Sequence, residues 1–343
     1  MCCSPPKKEE GAKTKVVAEI AVEAKDSIQD KSIQDKSIQD KLVEDKPIED
    51  KPIEDKLVED KLVEDKSIEG KSVQDKAIYD FTAPSEVFVL DKKLNEISSL
   101  AYNSSENLFI TNNDEDGRIF TLDPITFEIR SEDKFAKKGD YEAIELVGDD
   151  IIVCQNTGTL YFYNQISKET IKFNTKLSAR NDVEGLCFDR DSGALLLACK
   201  GQPIAKVKGK KNQKCVYRFD LAKKKLDKDP YLIISDDELK YFVESSNSDK
   251  TKSKLKQLKR RAKDFAPSGI AIHPISRDYY LISARGSLLV IIGSNKRVKN
   301  VIFLNSKSNP QPEGISFDED NNLYISTEGK GFSGKIFKFA YDG

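Results

Sequence analysis

Five positions in this sequence repeat one piece of local chemistry. Each puts a carboxylate or hydroxyl just ahead of a short apolar run: Glu96 before Ile97, Glu142 before Ala143-Ile144, Glu184 before Gly185-Leu186, Ser268 before Gly269-Ile270, and Glu313 before Gly314-Ile315. A second polar set closes the apolar runs that follow: Asn112, Gln155, Lys200, Arg285 and Glu328. A fold that gathered both sets would bring five carboxylates together with only two cations, Lys200 and Arg285. Carboxylates so crowded repel one another unless a bound cation or a raised pKa relieves them. Oxygen donors without histidine suit calcium rather than zinc or copper. The competing reading is structural: each glutamate caps backbone N–H groups of a neighbouring strand and pairs with Lys200 or Arg285.

Composition removes several other chemistries. There is no Trp and a single His, His273, which leaves no His-based triad, two-His metal site or Trp sugar platform. Six cysteines include no CxxC spacing, so zinc and thioredoxin readings are weak, and Cys154, Cys187, Cys199 and Cys215 are expected as buried free thiols. A net charge of −2 gives no nucleic-acid signature. The acidic loop Asn113-Asp114-Glu115-Asp116-Gly117 lacks the twelve-residue calcium-loop pattern and reads as a hairpin turn. No apolar stretch is long enough for a transmembrane helix.

The elements that must position these residues are strands. From residue 86 the chain alternates short apolar runs with Asn, Asp, Gly and Ser clusters, the all-β signature. The five anchors are separated by 46, 42, 84 and 45 residues, and a period in the forties is one four-stranded propeller blade. The step of 84 has room for a sixth blade. It is better filled by the outer strands of the third blade, at Cys215–Asp220 and Tyr231–Ile234, and then a helical insertion over 236–264 opened by the capping box Ser235-Asp236-Asp237-Glu238. The expected fold is therefore an all-β propeller of five four-stranded blades over 85–343, with Ser85–Leu90 supplying the missing outer strand of the last blade. In a propeller the starts of first strands and the ends of second strands share one mouth of the channel, so both polar sets are expected there.

These anchors, in this order, resemble the SdiA-regulated, YjiK-like family of bacterial propellers over roughly 86–343. The resemblance rests on Glu-Ile-Ser at 96–98, Glu142, Glu184-Gly185-Leu186, Ser268-Gly269, Glu313-Gly314, Ala198-Cys199-Lys200 and Ser326-Thr327-Glu328. It implies an envelope-associated protein without a defined activity. A more distant similarity is to β-propeller phytases, which implies a calcium-dependent phosphoesterase as the alternative function.

Ahead of the propeller, residues 26–80 are eleven copies of a pentapeptide with one β-branched residue each, from Ile28 to Ile78. A period of five builds no continuous apolar face on a helix or a strand, and Pro47 and Pro52 oppose a helix. The segment is expected to be a disordered spacer. Residues 1–25 begin Met1-Cys2-Cys3-Ser4-Pro5-Pro6, which looks like the mature start of a bacterial lipoprotein, with Cys2 and Cys3 as lipidation candidates. The expectation is an envelope location, a sequence that begins near a processing site, a membrane partner reached through lipid, and no nucleic acid. Lysines 206, 208, 210, 211 and 214, with the basic run from Lys250 to Lys263, form either a solvated face or a contact for anionic headgroups, polysaccharide or an acidic partner. The expected function is a tethered, non-enzymatic binding or scaffold propeller.

Overall fold

The structure, a computed structural model, describes residues 78–205, 212–305 and 311–343. The expected anchor segment and nearly all of the pentapeptide tether lie outside the described residues. The chain divides at Gly70, and every described residue belongs to the second unit, Lys71–Gly343.

Five antiparallel sheets follow one another. Strand β1 (Glu86–Val89) comes first in the chain but belongs to the last sheet. Blade 1 holds β2 (Ala101–Asn103), β3 (Leu108–Asn112), β4 (Arg118–Leu122) and β5 (Ile129–Lys134). Blade 2 holds β6 (Tyr141–Val147), β7 (Asp150–Gln155), β8 (Thr159–Asn164) and β9 (Thr170–Asn174). In blade 3, β10 (Val183–Asp189), β11 (Ala194–Cys199) and β12 (Gln213–Asp220) are edged by β13 (Lys225–Leu226) and β14 (Leu232–Ser235). Blade 4 holds β15 (Gly269–Ile272), β16 (Tyr279–Ser283), β17 (Leu288–Ile292) and β18 (Val298–Phe303). Blade 5 holds β19 (Pro312–Phe317), β20 (Leu323–Thr327) and β21 (Lys335–Phe339), and β1 completes it by pairing Glu86 with Lys338 through Val89 with Lys335. The propeller is thus five-bladed and closed by its N-terminal strand, which covers β21 and forms the short outer edge of the last sheet.

The core lies between blades. Each of five apolar clusters joins two neighbours; one sets Leu195, Leu197 and Tyr217 of blade 3 against Ile152, Leu160 and Phe162 of blade 2. The glycines of the Glu-Gly anchors let inner strands pass closely. A Cβ on Gly185 would lie 3.1 Å from the Ile270 nitrogen of blade 4, and one on Gly314 would lie 2.7 Å from the Leu100 nitrogen of blade 1. The four cysteines named above are buried free thiols.

The insertion is two helices, α1 (Asp236–Ser246) and α2 (Lys252–Lys263), with Ser235 capping α1 by accepting from the Glu238 N–H. Leu239 and Val243 of α1 and Leu258 and Ala262 of α2 pack against blades 3 and 4. Arg261 pins the end of α2 to blade 4, donating to the carbonyls of Gly286 at 2.7 Å, Ser287 at 2.8 Å and Leu304 at 2.9 Å.

The folded domain begins before residue 85, which corrects the expected boundary. Tyr79 is buried at 2% exposure. Its hydroxyl lies 2.7 Å from the Asn321 carbonyl and 3.0 Å from His273 Nε2, and the Asp342 N–H donates to the Ile78 carbonyl at 3.0 Å. The last repeat therefore ends inside the packed structure. His273 also accepts at Nδ1 from the N–H groups of Ile275 and Ser276, as Asp123 and Asn164 accept through side-chain oxygens in the turns at 123–126 and 164–167. Alternation of strand direction puts these turns, and the 78–84 segment, at the end of the propeller away from the starts of the inner strands.

Candidate functional site

Three of the expected glutamates share a backbone device. In blade 2, Tyr141 opposes Gln155 and Ala143 opposes Cys154, so Glu142 is an extra residue in its strand. In blade 3, Val183 opposes Cys199 and Gly185 opposes Ala198, which leaves Glu184 extra. In blade 5, Pro312 opposes Thr327 and Gly314 opposes Ser326, which leaves Glu313 extra. A β-bulge takes the side chain out of the strand's in–out alternation and re-aims it. Blade 4 doubles up in the same way: Ser268 donates its N–H to the Ile282 carbonyl at 2.9 Å while Gly269 is the residue in register with Ile282. In blade 1, Ile97 bridges Asn113 and Ala101 pairs with Ile110, so the extra residue falls within Ser98–Leu100. Glu96 stands ahead of that bulge and is exposed, which sets it apart from the other three.

The charges of this mouth act on one another. Burial, then the nearby Glu184 and Asp140, raises Glu142 to about 9. Burial pushes Glu313 well above the carboxylate range, helped by Glu184 and Glu328. Glu184, 7% exposed, rises to about 7 through burial, while Lys200 beside it resists the rise. The Lys200 ammonium lies 2.5 Å from Glu184 Oε1. Burial works against the charge of Lys200, but Glu184 and then Glu313 outweigh it and hold its pKa up. We read the two as an ion pair in which the lysine is firmly charged and Glu184 is the most easily ionised of the three bulge carboxyls. Burial raises Glu328 too, with Glu96 adding to it, and Glu328 accepts from the Gln311 amide.

The remaining expected residues divide. Arg285 is exposed and acts on both Glu184 and Lys214. Ser268 joins blades 4 and 5: its hydroxyl donates to the Pro312 carbonyl at 2.5 Å and accepts from the Ala284 N–H at 3.1 Å. Asn112 joins blades 1 and 2 through its amide on the Tyr141 carbonyl at 2.7 Å. Gln155 has only long contacts, such as 3.4 Å to the Tyr161 hydroxyl.

Other residues at the mouth were not anticipated. Asp140 and Asp182 each precede a bulge glutamate by two positions, and Gln311 does the same for Glu313, so an acidic or amide residue at that spacing was a usable signal. Asp182 has φ +53°, a left-handed conformation that Asp tolerates better than most residues. Asp114 rises to about 6 through burial, then Glu96 and Glu115. Among the described residues, no three His, Cys, Asp or Glu side chains stand where they could hold one metal ion. A calcium ion there would have to draw most of its ligands from carbonyl and amide oxygens.

The SdiA-regulated family profile matches residues 81–333. The chain belongs to the SdiA-regulated family. The match takes in all three bulge glutamates, Lys200 and the helical insertion, so the mouth is part of the SdiA-regulated domain. No curated protein matches the sequence. Solved structures similar to it include a chain of a mitotic checkpoint complex (10% identity, TM-score 0.39, 72% of this chain and 62% of that one). Hydrazine synthase of Kuenenia stuttgartiensis is also similar (14%, 0.40, 68% and 56%), as is glutaminyl cyclase of Myxococcus xanthus (11%, 0.47, 76% and 95%). The chain spans less than two thirds of the first two.

Proposed function

We propose that this SdiA-regulated propeller is a non-enzymatic binding module that takes an ammonium-bearing ligand at the channel mouth, between Glu142 and Glu313. The observation that carries the reading is the Lys200–Glu184 pair: an ammonium of the protein itself already sits on one of the three bulge carboxyls. Glu142 has the same backbone setting, and the groups acting on it are all acidic. A carboxyl that is protonated near neutral pH gives up its proton when a cation arrives, so affinity rises with pH. Calcium fits less well for want of three converging carboxylates, and the phosphoesterase alternative would need several such clusters.

The Cys2-Cys3 start and the polar repeat support attachment to a bacterial envelope through an acylated cysteine. Intact mass of the native protein tests that part, and an unmodified Met1-Cys2 start overturns it.

Titration calorimetry with 1,4-diaminobutane and with calcium chloride tests the mouth. Saturable diamine binding that strengthens from about pH 6 to pH 8 is expected, following the raised carboxyls. It should disappear in a Glu142→Gln, Glu313→Gln variant that still unfolds cooperatively. Binding of calcium but not diamine, or diamine binding unaffected by the double substitution, overturns the reading.

A further inference from the structure

A cleft of about 860 Å³ opens where blade 3, blade 4 and the end of the insertion meet. Its walls carry three cations on three separate pieces of chain: Lys214 at the start of β12, Lys263 at the end of α2, and Arg285 in the β16–β17 turn. Such a gathering is held in place by the fold. Arg261, next but one to Lys263, is fixed by its three carbonyl contacts to blades 4 and its following loop. Phe265 and Ala266, buried beneath the cleft, seat the chain that leaves α2. Lys214 is half-buried and donates to the Lys200 carbonyl, a neutral acceptor.

Two carboxylates also line the cleft; Asp236, and then Asp182 outside it, favour the charge of Lys214, but burial and Arg285 outweigh them. Asp236 is buried and engaged elsewhere: it accepts from the Asn212 amide at 2.7 Å and lies 3.8 Å from Lys240. Asp264 is exposed at the C-cap of α2. Among the described residues, no ion pair within 4 Å is formed by Lys214, Lys263 or Arg285. The proximity of Lys214 and Arg285 is unfavourable for both until an anion comes between them, and burial with Arg285 nearby lowers the Lys214 pKa accordingly.

We propose that this cleft binds the phosphate group of a ligand, with Lys214 and Arg285 as its two principal contacts and Lys263 closing over it. Phosphate is favoured over a single carboxylate because three cations from different directions match a tetrahedral dianion, and a planar guanidinium can take two of its oxygens. The phosphate has two possible sources, a soluble phosphorylated molecule or a lipid headgroup. The exposed basic face of α2, with Lys252, Lys256 and Arg260 leading toward Lys263, would draw either one in by its field. The proposal does not depend on the ammonium reading of the mouth, since it uses neither Glu142 nor Glu313.

Titration of the full chain with inorganic phosphate, with acetate at matched ionic strength as comparison, tests it. Saturable phosphate binding is expected, weakened about tenfold by Lys214→Met and by Arg285→Gln, the loss expected for one charge-assisted hydrogen bond. Arg285 is exposed, so its variant keeps the test valid if Lys214→Met fails to fold. Lys134→Gln, an exposed lysine of blade 1, should leave binding unchanged. Co-sedimentation with phosphatidate-containing vesicles, whose headgroup is a phosphomonoester, separates the sources: sedimentation lost in Arg285→Gln assigns the site to a headgroup, and phosphate binding without sedimentation assigns it to a soluble ligand. Equal response to acetate, or phosphate binding indifferent to both substitutions, overturns the proposal.

Discussion

At the scale of single residues, Glu142 has the clearest consequence. Its carboxyl keeps a proton up to about 9 in the folded protein, against 4.5 when exposed in the unfolded chain. Between those values the native state holds a proton that the unfolded state lacks, so stability is fullest below 4.5 and is lost as pH rises toward 9. Glu184 and Asp114 act in the same direction up to about 7 and about 6. Burial lowers the pKa of His273, which pulls the opposite way at acid pH, so the clearest window lies above neutrality, where Glu313 holds its proton as Glu142 does. Stability should fall from about pH 7 to 8.5, each carboxyl that keeps its proton contributing up to about 1.4 kcal/mol per pH unit. Glu142→Gln should lessen the decline, leaving the part due to Glu313; an unchanged slope in that variant would mean that Glu142 ionises normally. The glutamates themselves were legible in the sequence because each stands ahead of an apolar run at blade spacing. A raised pKa was one of two outcomes the crowding left open; which glutamates rise was not legible, because burial and the aspartates two positions upstream act only once the strands are bent.

At the scale of elements, the bulged inner strand is the unit that makes the mouth. The glycine after the bulge is there for the neighbouring blade. Gly314→Ala would force a Cβ to within 2.7 Å of the Leu100 backbone, a contact that flexible side chains cannot relieve. It should cost about 1–3 kcal/mol, the usual range for overpacking, and lower the denaturation midpoint without changing the m-value. A loss under about 0.5 kcal/mol would show that the inner strands separate easily. Five blades could be counted from anchor spacing, and the 84-residue step resolved through the capping box at Ser235. The register of a strand depends on its partner, so the bulges had no local signature. This is why Glu96 was grouped with the other three although the blade 1 bulge falls later, at Ser98–Leu100. Lys214 and Lys263 were legible as parts of two basic runs, but their meeting with Arg285 in one cleft was not, since these cations lie 49 and 71 residues from Lys214.

At the scale of the whole molecule, the domain is closed by chain that the repeat pattern assigns to the spacer. Tyr79 sits among Tyr280, Phe317 and Tyr341 and reaches Asn321 and His273. Starting the protein at residue 85 should therefore lower its melting temperature, and Tyr79→Ala alone should cost about 3–5 kcal/mol, as for other buried aromatic truncations. Removing whole pentapeptides between residues 31 and 65 should leave the melting temperature unchanged. If the first pair of changes were silent, the Tyr79 anchor would be dispensable; a drop from the second would mean that the repeats pack on the propeller. The sequence pointed to β1 as the closing strand, but Tyr79 was hidden because it falls within the last pentapeptide.

The place where the chain enters β1 has a mechanical meaning. The 78–84 segment lies at the end of the propeller remote from Glu142, Glu184 and Glu313, so a pull on the N-terminus against a ligand held at the mouth runs lengthwise along β1. Its four register pairs with β21, Glu86 with Lys338 through Val89 with Lys335, are then loaded in shear and must yield together instead of peeling one by one. Tyr79 bears the load before any of them. Under the proposed tethering and ligand binding, a domain built this way would resist being drawn open from its N-terminal end while the far end is held.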